Sequence, residues 1–215
     1  MTAHRRDRRA LVKSISLVGD EAAVARLVAA EAVPPPRRLA VCSVRRPRDI
    51  GAVVLSWHDD RADADRFSAG LRDDGPCETV LVEERSAIGD DWLVHRWVTA
   101  ADEPTLLLIG LIQRAPHLSR DSFASYWWST HRPLANRLVP AELNPHAYVH
   151  NYVLADQPSP WDGIGELYEQ SLHVASQRGE WFESEAAEPL TQDEDRFMIS
   201  STRQVLVADH RILIG

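Results

Sequence analysis

Cysteine is scarce in this chain: Cys42 and Cys77 are the only two in 215 residues. That is too few for a disulfide framework, and their separation fits no close-set zinc spacing, so both are expected to be free thiols in a core. Long apolar runs are missing as well. No stretch approaches the roughly 20 residues of a membrane span. The one basic cluster, Arg5-Arg6-Asp7-Arg8-Arg9, precedes an apolar run that Lys13 and Ser14 interrupt, where a secretory leader needs about 7 to 15 uninterrupted apolar residues. Residues 1–10 therefore read as a solvated tail and the protein as cytoplasmic. Positive charge is in deficit, with Lys+Arg 24 against Asp+Glu 32, a net charge of −8 and a pI near 5.6. That sign repels a phosphate backbone, which argues against nucleic acid as a partner. No glycine-rich phosphate loop follows a strand, Gly163-Ile-Gly165 being too short to count, and there is no Gly-x-Ser-x-Gly elbow. Proton chemistry without a cofactor is what these absences leave.

What is present suffices for a packed core, since 44% of the residues are hydrophobic. Leu11–Val18 half-alternates as a strand, and Asp20–Ala30 is an alanine-rich amphipathic helix ended by Pro34-Pro35-Pro36. Short apolar runs follow at Arg38–Val44 and Gly51–Trp57, then a helix from about Asp60 to Leu71 and a strand from Cys77 to Glu83. The order β-α-β-β-α-β is that of a ferredoxin-like unit. Residues 104–215 repeat it: strand 105–114, helix 119–131, strands 146–154 and 163–169, a helical region 170–195 and strand 201–208. The fold class is α+β, with units at 11–100 and 104–215, although the first could also be a separate small domain. The apolar residues of its leading helix are alanine, valine and leucine, with no tyrosine, tryptophan or histidine, so that unit reads as degenerate.

The second leading helix differs. Phe123, Trp127 and His131 stand four residues apart and share a helix face, flanked by Tyr126 and Leu134, with Trp128 beside them. A histidine on such a face is desolvated, which favours the neutral imidazole a general base needs. A single histidine on an apolar helix face is more often a packed, hydrogen-bonded core residue than a catalyst, and the spacing alone does not separate the two. On strand 146–154, Ala147, Val149, Asn151 and Val153 alternate with His146, Tyr148, His150, Tyr152 and Leu154. If the small aliphatics pack under the helices, Tyr148, His150 and Tyr152 look into the barrel, as a polar aromatic wall. Glu166 shares a face with Ile164 and Tyr168 and would orient His131 if it faces the same space. His146 and His150 are roughly 13 Å apart on a strand, too far to share an ion. His131, His150 and Glu166 would form a two-histidine, one-carboxylate set only if folding converged them, and no metal is expected.

From the strand Leu106–Arg114 onward, the chain resembles the EthD family of the dimeric α+β barrel superfamily. The likeness rests on Pro116-x-Leu118-Ser119, Phe123, Tyr126-Trp127, His131-x-Pro133-Leu134, Tyr148-Val-His-Asn-Tyr152 and Asp162-Gly163-Ile-Gly-Glu166-Leu167, and more faintly on Asp193–Phe197. It spans about residues 104–208. It implies tandem ferredoxin-like units closing into one fused, pseudo-twofold barrel, with homodimer formation left open. It also implies a cofactor-independent lyase, cyclase or isomerase acting on an aromatic or polyketide-like carbonyl compound. In that reading His131 removes a proton next to the carbonyl, Tyr148 or Tyr152 stabilises the enolate, and Glu166 supports His131. Phe123, Tyr126, Trp127, Trp128, His150, Asn151 and Tyr152 line the substrate. A non-catalytic carrier of a small hydrophobic ligand, and a cofactor-free or haem-assisted monooxygenase, are the alternatives.

Overall fold

The computed structural model describes residues 11–29, 35–46, 49–99 and 105–214. The expected tail at residues 1–10, and residue 30 at the end of the expected first helix, lie outside them. Eight strands alternate with helices: β1 Val12–Val18, α1 Ala22–Ala29, β2 Arg38–Val44, β3 Ala52–His58, α2 Arg61–Asp73, β4 Cys77–Ile88, α3 Asp90–Thr99 and β5 Thr105–Ile112. There follow α4 Arg120–Tyr126, a π turn at Trp127–His131, α5 Arg132–Leu138, β6 Ala147–Val153, β7 Gly163–Tyr168, α6 Leu172–Phe182, α7 Glu188–Phe197 and β8 Gln204–Ile214. Asp60 starts α2 by accepting the Asp63 N–H at 2.9 Å. All strand pairs are antiparallel and close a barrel in the order β1-β3-β2-β8-β5-β7-β6-β4. The first half runs β4-β1-β3-β2 and the second β8-β5-β7-β6, and they meet at two seams, β4·β6 and β2·β8.

Strand alternation divides the side chains into a lumen and an outer layer. Ile15, Leu17, Val53, Leu55, Val80, Val82, Leu107, Ile109, Leu111, Val149 and Ile164 fill the lumen. Outside, Val18, Leu39, Val41 and Val54 pack against Val24, Leu27, Phe67 and Leu71 of α1 and α2. Over the second half, Ile112 and Tyr152 pack with Phe123, Trp127 and Phe197. The facing of β6 is thus the reverse of the expected one: Ala147, Val149 and Val153 enter the lumen, with Asn151, while Tyr148, His150 and Tyr152 look toward the helices. The lumen of a closed barrel is the drier and narrower space, and it takes the small aliphatics.

Four parts of the chain differ from the sequence expectation. β4 continues past Glu83 to Ile88, and α3 follows immediately. Gly89 makes that corner at φ +75°, where a Cβ would meet the His146 carbonyl oxygen at 2.0 Å. α3 sets Trp97 against Trp57 (ring centroids 4.9 Å) and His210 (6.2 Å) at the lumen. The region 170–195 is two helices, α6 and α7, and β8 runs to Ile214 instead of ending at 208. Cys42 is a buried free thiol and Cys77 a half-buried one.

The lumen also holds charge. Lys13, read from sequence only as a break in an apolar run, is 2% exposed. Its Nζ lies 2.7 Å from Glu166 Oε1 and also pairs with Glu84. Glu166 accepts further hydrogen bonds from Asn151 Nδ2 at 2.8 Å and Tyr168 Oη at 2.8 Å.

Candidate functional site

The site lies on the outer face of β5, β6 and β7, beneath α4, the π turn and α7. Ser119 caps α4 by accepting the Ser122 N–H at 3.1 Å. Pro133 has no N–H, and in a regular helix its ring would crowd the carbonyl of Ser129. Just ahead of it, residues 127–131 widen into one π turn, with the Arg132 N–H bonded to the Trp127 carbonyl five residues back. In an unbroken α-helix four residues overshoot a turn by about 40°, so Phe123, Trp127 and His131 would fan apart. The wider turn takes up that drift and keeps Trp127 and His131 over the sheet, at 1% and 7% exposure. π turns of this kind recur at functional sites.

Trp127 lies flat on His150, ring centroids 4.0 Å apart and planes 14° from parallel. Glycines make this approach possible. Gly165 stands opposite His150 and Gly163 opposite Tyr152, and a Cβ on Gly163 would come within 2.6 Å of Trp127 Cζ3 and 2.9 Å of Phe123 Cζ. Gly163→Ala is expected to cost about 1–3 kcal/mol, the range for overpacking a filled core, and to lower Tm by about 2–4 °C per kcal/mol. Calorimetric melting of the variant checks this; an unchanged Tm would mean that the indole shifts without strain.

His131 Nδ1 is 2.9 Å from Asp193 Oδ2, and Asp193 Oδ1 accepts from Tyr126 Oη at 2.7 Å. A carboxylate accepting the Nδ1–H leaves the imidazole lone pair on Nε2. Burial lowers the His131 pKa from its ordinary value, and the Asp193 hydrogen bond and charge offset part of that fall. The ring is therefore neutral at neutral pH and able to accept a proton. His150 is deeper still: burial, reinforced by His131, Arg132 and Arg85, pushes its pKa down to about 3. Its Nδ1 sits 3.1 Å from Tyr152 Oη, and its Nε2 has no hydrogen-bond partner among the described residues. Burial raises the pKa of both Tyr148 and Tyr152, so each keeps its hydroxyl proton as a donor.

Folding thus brings together His131, Tyr126, Trp127, Trp128, Tyr148, His150 and Tyr152, with Phe123 packed into the floor between Trp127 and Phe197. Glu166 and Asn151 are not among them. Both point into the lumen, across the sheet from His131, because Glu166 shares the face of Ile164 and Tyr168, and Asn151 that of Val149 and Val153. Glu166 therefore cannot orient His131, and the His131, His150 and Glu166 set does not converge on an ion. Asp193 takes the orienting place. Its signal in the sequence was a carboxylate on the inner face of α7, one turn after Leu190 and one turn before Phe197. An open cleft of about 840 Å³ lies elsewhere, along β2 and β8, lined by Val44, Ile50, Leu172 and Val205 with Arg45. Arg45 is already paired with Asp209 at 2.7 Å, and no histidine among the described residues borders that cleft.

The fold is shared by solved structures of low identity. An anthrone oxidase-like protein matches with a TM-score of 0.61 at 10% identity, over 96% of this chain and 94% of that one. A mutant chlorite dismutase from Candidatus Nitrospira defluvii, in complex with cyanide, matches with a TM-score of 0.54 at 8% identity, over 94% and 91%. No curated protein sequence matches the chain. Among the described residues, no helix is long and apolar enough to cross a membrane. The family model for the EthD domain matches residues 115–201, the segment that holds the π turn, His131 and His150, Gly163 and Gly165, and Asp193.

Proposed function

We propose that the protein is a cofactor-independent lyase, cyclase or isomerase acting by proton transfer next to the carbonyl of an aromatic or polyketide-like compound. The contact between His131 and Asp193 carries this reading: a buried carboxylate fixes the tautomer of a neutral imidazole, as a base requires. His131 Nε2 takes the proton. Tyr148 or Tyr152 donates to the developing enolate oxygen, and the two tryptophans exclude water. The repeated strand order of the two halves supports reading the barrel as tandem ferredoxin-like units, 11–100 and 104–215, fused in one cytoplasmic chain that can still form a homodimer.

Asp193→Asn tests the reading. Loss of the carboxylate disfavours the productive tautomer, and turnover is expected to fall on the order of 10²-fold or more. Because Asp193 raises the His131 pKa, its removal should also move the acid limb of the kcat/KM profile to lower pH. A purely structural role for Asp193 would lower stability and leave the limb in place. Oxygenation of the same enolate is the second reading, favoured by the apolar enclosure of Trp127, Phe123 and Phe197, each 1% exposed. Oxygen uptake during turnover would establish it, and turnover without oxygen the first. The same close packing offers a haem no cradle: a macrocycle over His131 would have to displace Phe197, whose ring centroid lies 4.8 Å from the imidazole, and a Soret band in the purified protein would overturn that statement. Ligand binding without turnover, unaffected by His131→Asn, would instead mark a carrier.

A further inference from the structure

The rim of the site is cationic, and part of it comes from the N-terminal half. Arg85 of β4 stands directly opposite His150 across the β4·β6 seam, so the first half contributes to the site as well as completing the barrel. Its guanidinium lies 5.1 Å from the Tyr152 ring centroid and 5.6 Å from that of Trp128. Arg132, the first residue after the π turn, lies 3.9 Å from the same Trp128 ring. Trp128 in turn covers His150 edge-on, ring centroids 6.0 Å apart at 87°. One neutral indole therefore serves two guanidiniums. Arg85 has an exposed carboxylate, Glu83, at 2.7 Å. Arg132 uses Nε on the Trp128 carbonyl at 3.2 Å and makes no ion pair among the described residues.

In a chain of net charge −8, two guanidiniums gathered on one indole, of which only Arg85 has a carboxylate partner, are the feature a compact anion would complete. An aromatic face attracts a guanidinium, but a carboxylate does so more strongly and accepts two parallel N–H bonds. Beneath Trp128, His150 is 0% exposed, and its unpartnered Nε2 is a buried polar atom that an occupant would satisfy.

We propose that the site takes an aromatic acid, whose ring displaces Trp128 from the two guanidiniums while Arg132 and Arg85 hold its carboxylate and His150 Nε2 bonds a polar substituent. The proposal deepens the function given above, and rests on that reading for the location of the site. Isothermal titration calorimetry of the full chain with 2-naphthoate and with 2-naphthamide tests it. The acid is expected to bind at least about tenfold tighter than the amide, as charge-assisted hydrogen bonds imply. Arg132→Gln and Arg85→Gln should each weaken the acid by about tenfold and leave the amide unchanged. Arg132→Lys, which keeps the charge and loses the fork, should retain part of the preference. Equal affinities, no binding of the acid, or a preference that survives in the Arg85→Gln/Arg132→Gln double variant would overturn the proposal. Binding reads it separately from turnover: His131→Asn should keep the preference for the acid, and if that variant stayed fully active the proton-transfer reading alone would fail.

Discussion

Replacing His131 with alanine is expected to lower kcat/KM by about 10²- to 10⁴-fold, the span of a positioned general base, or about 2.7–5.5 kcal/mol of transition-state stabilisation. The expectation follows from three features of one side chain. The imidazole is held neutral by burial, its Nδ1 is committed to Asp193 at 2.9 Å, and it keeps 7% of its surface accessible beside the half-buried rings of Tyr126, Trp128 and Tyr148. Assays with an aromatic β-keto compound, run beside circular dichroism and melting to confirm the fold, make the measurement. His131→Gln, which can hydrogen-bond but not accept a full proton, should be nearly as inactive. A folded His131→Ala variant with undiminished turnover would remove this histidine from the mechanism.

Lys13→Met is expected to destabilise the protein by about 3–5 kcal/mol, the cost of breaking a buried ion pair on one side. Lys13 is the only lysine in the chain, in which every other basic side chain apart from histidine is arginine. At 2% exposure it meets Glu166, which is 0% exposed, at 2.7 Å, and Trp57, whose ring centroid lies 4.6 Å from Nζ. Removing the ammonium leaves Glu166 with only the Asn151 and Tyr168 donors. The double variant Lys13→Met/Glu166→Gln should therefore be more stable than Lys13→Met alone, since it removes the uncompensated charge. Burial pulls the Lys13 pKa down, but the charges of Glu166 and Glu84 outweigh it and the net shift is upward. A raised folded-state pKa gives stability that is complete below the ordinary lysine value near 10.5 and lost as pH climbs through the higher folded one. The alkaline limb of the stability curve should flatten in Lys13→Met. Amine-reactive reagents give a second readout, because the native protein should be modified only at its N-terminus and Lys13 should react on unfolding. Acylation of Lys13 in the native state would show that the lumen is open.

Periodicity in the sequence located β1, β2 and β3 to within a residue or two, because short β-branched runs bounded by Gly, Pro and Asp have few other uses. It missed α3, whose pattern Trp92-Leu93-Val94-His95-Arg96-Trp97-Val98 mixes apolar and basic residues on every side and acquires a buried face only because a barrel end must be covered. The helix at 119–131 was legible as a helix, but not its π turn. That irregularity answers Pro133, and its consequence, an indole flat on His150, also needs Gly163 and Gly165 from a strand some 30 residues on.

The chemistry at His131, Tyr148, His150 and Tyr152 was likewise readable as a set, since alternation on a strand and four-residue spacing on a helix each define a face. Which faces meet was not. Period two says that Asn151 and His150 part company and is silent on which of them enters the lumen, and the wrong choice put Glu166 beside His131. Local sequence by itself determined most of the elements, the sides of each of these and the residue types on each side, because these depend on bonds and neighbours a few positions apart. Only the tertiary structure decided that Asp193 orients His131, that Lys13 answers Glu166 and that Arg85 reaches His150 across the seam. Those contacts join residues 62, 153 and 65 positions apart. Closure of the barrel creates them, and no periodicity within a segment encodes it.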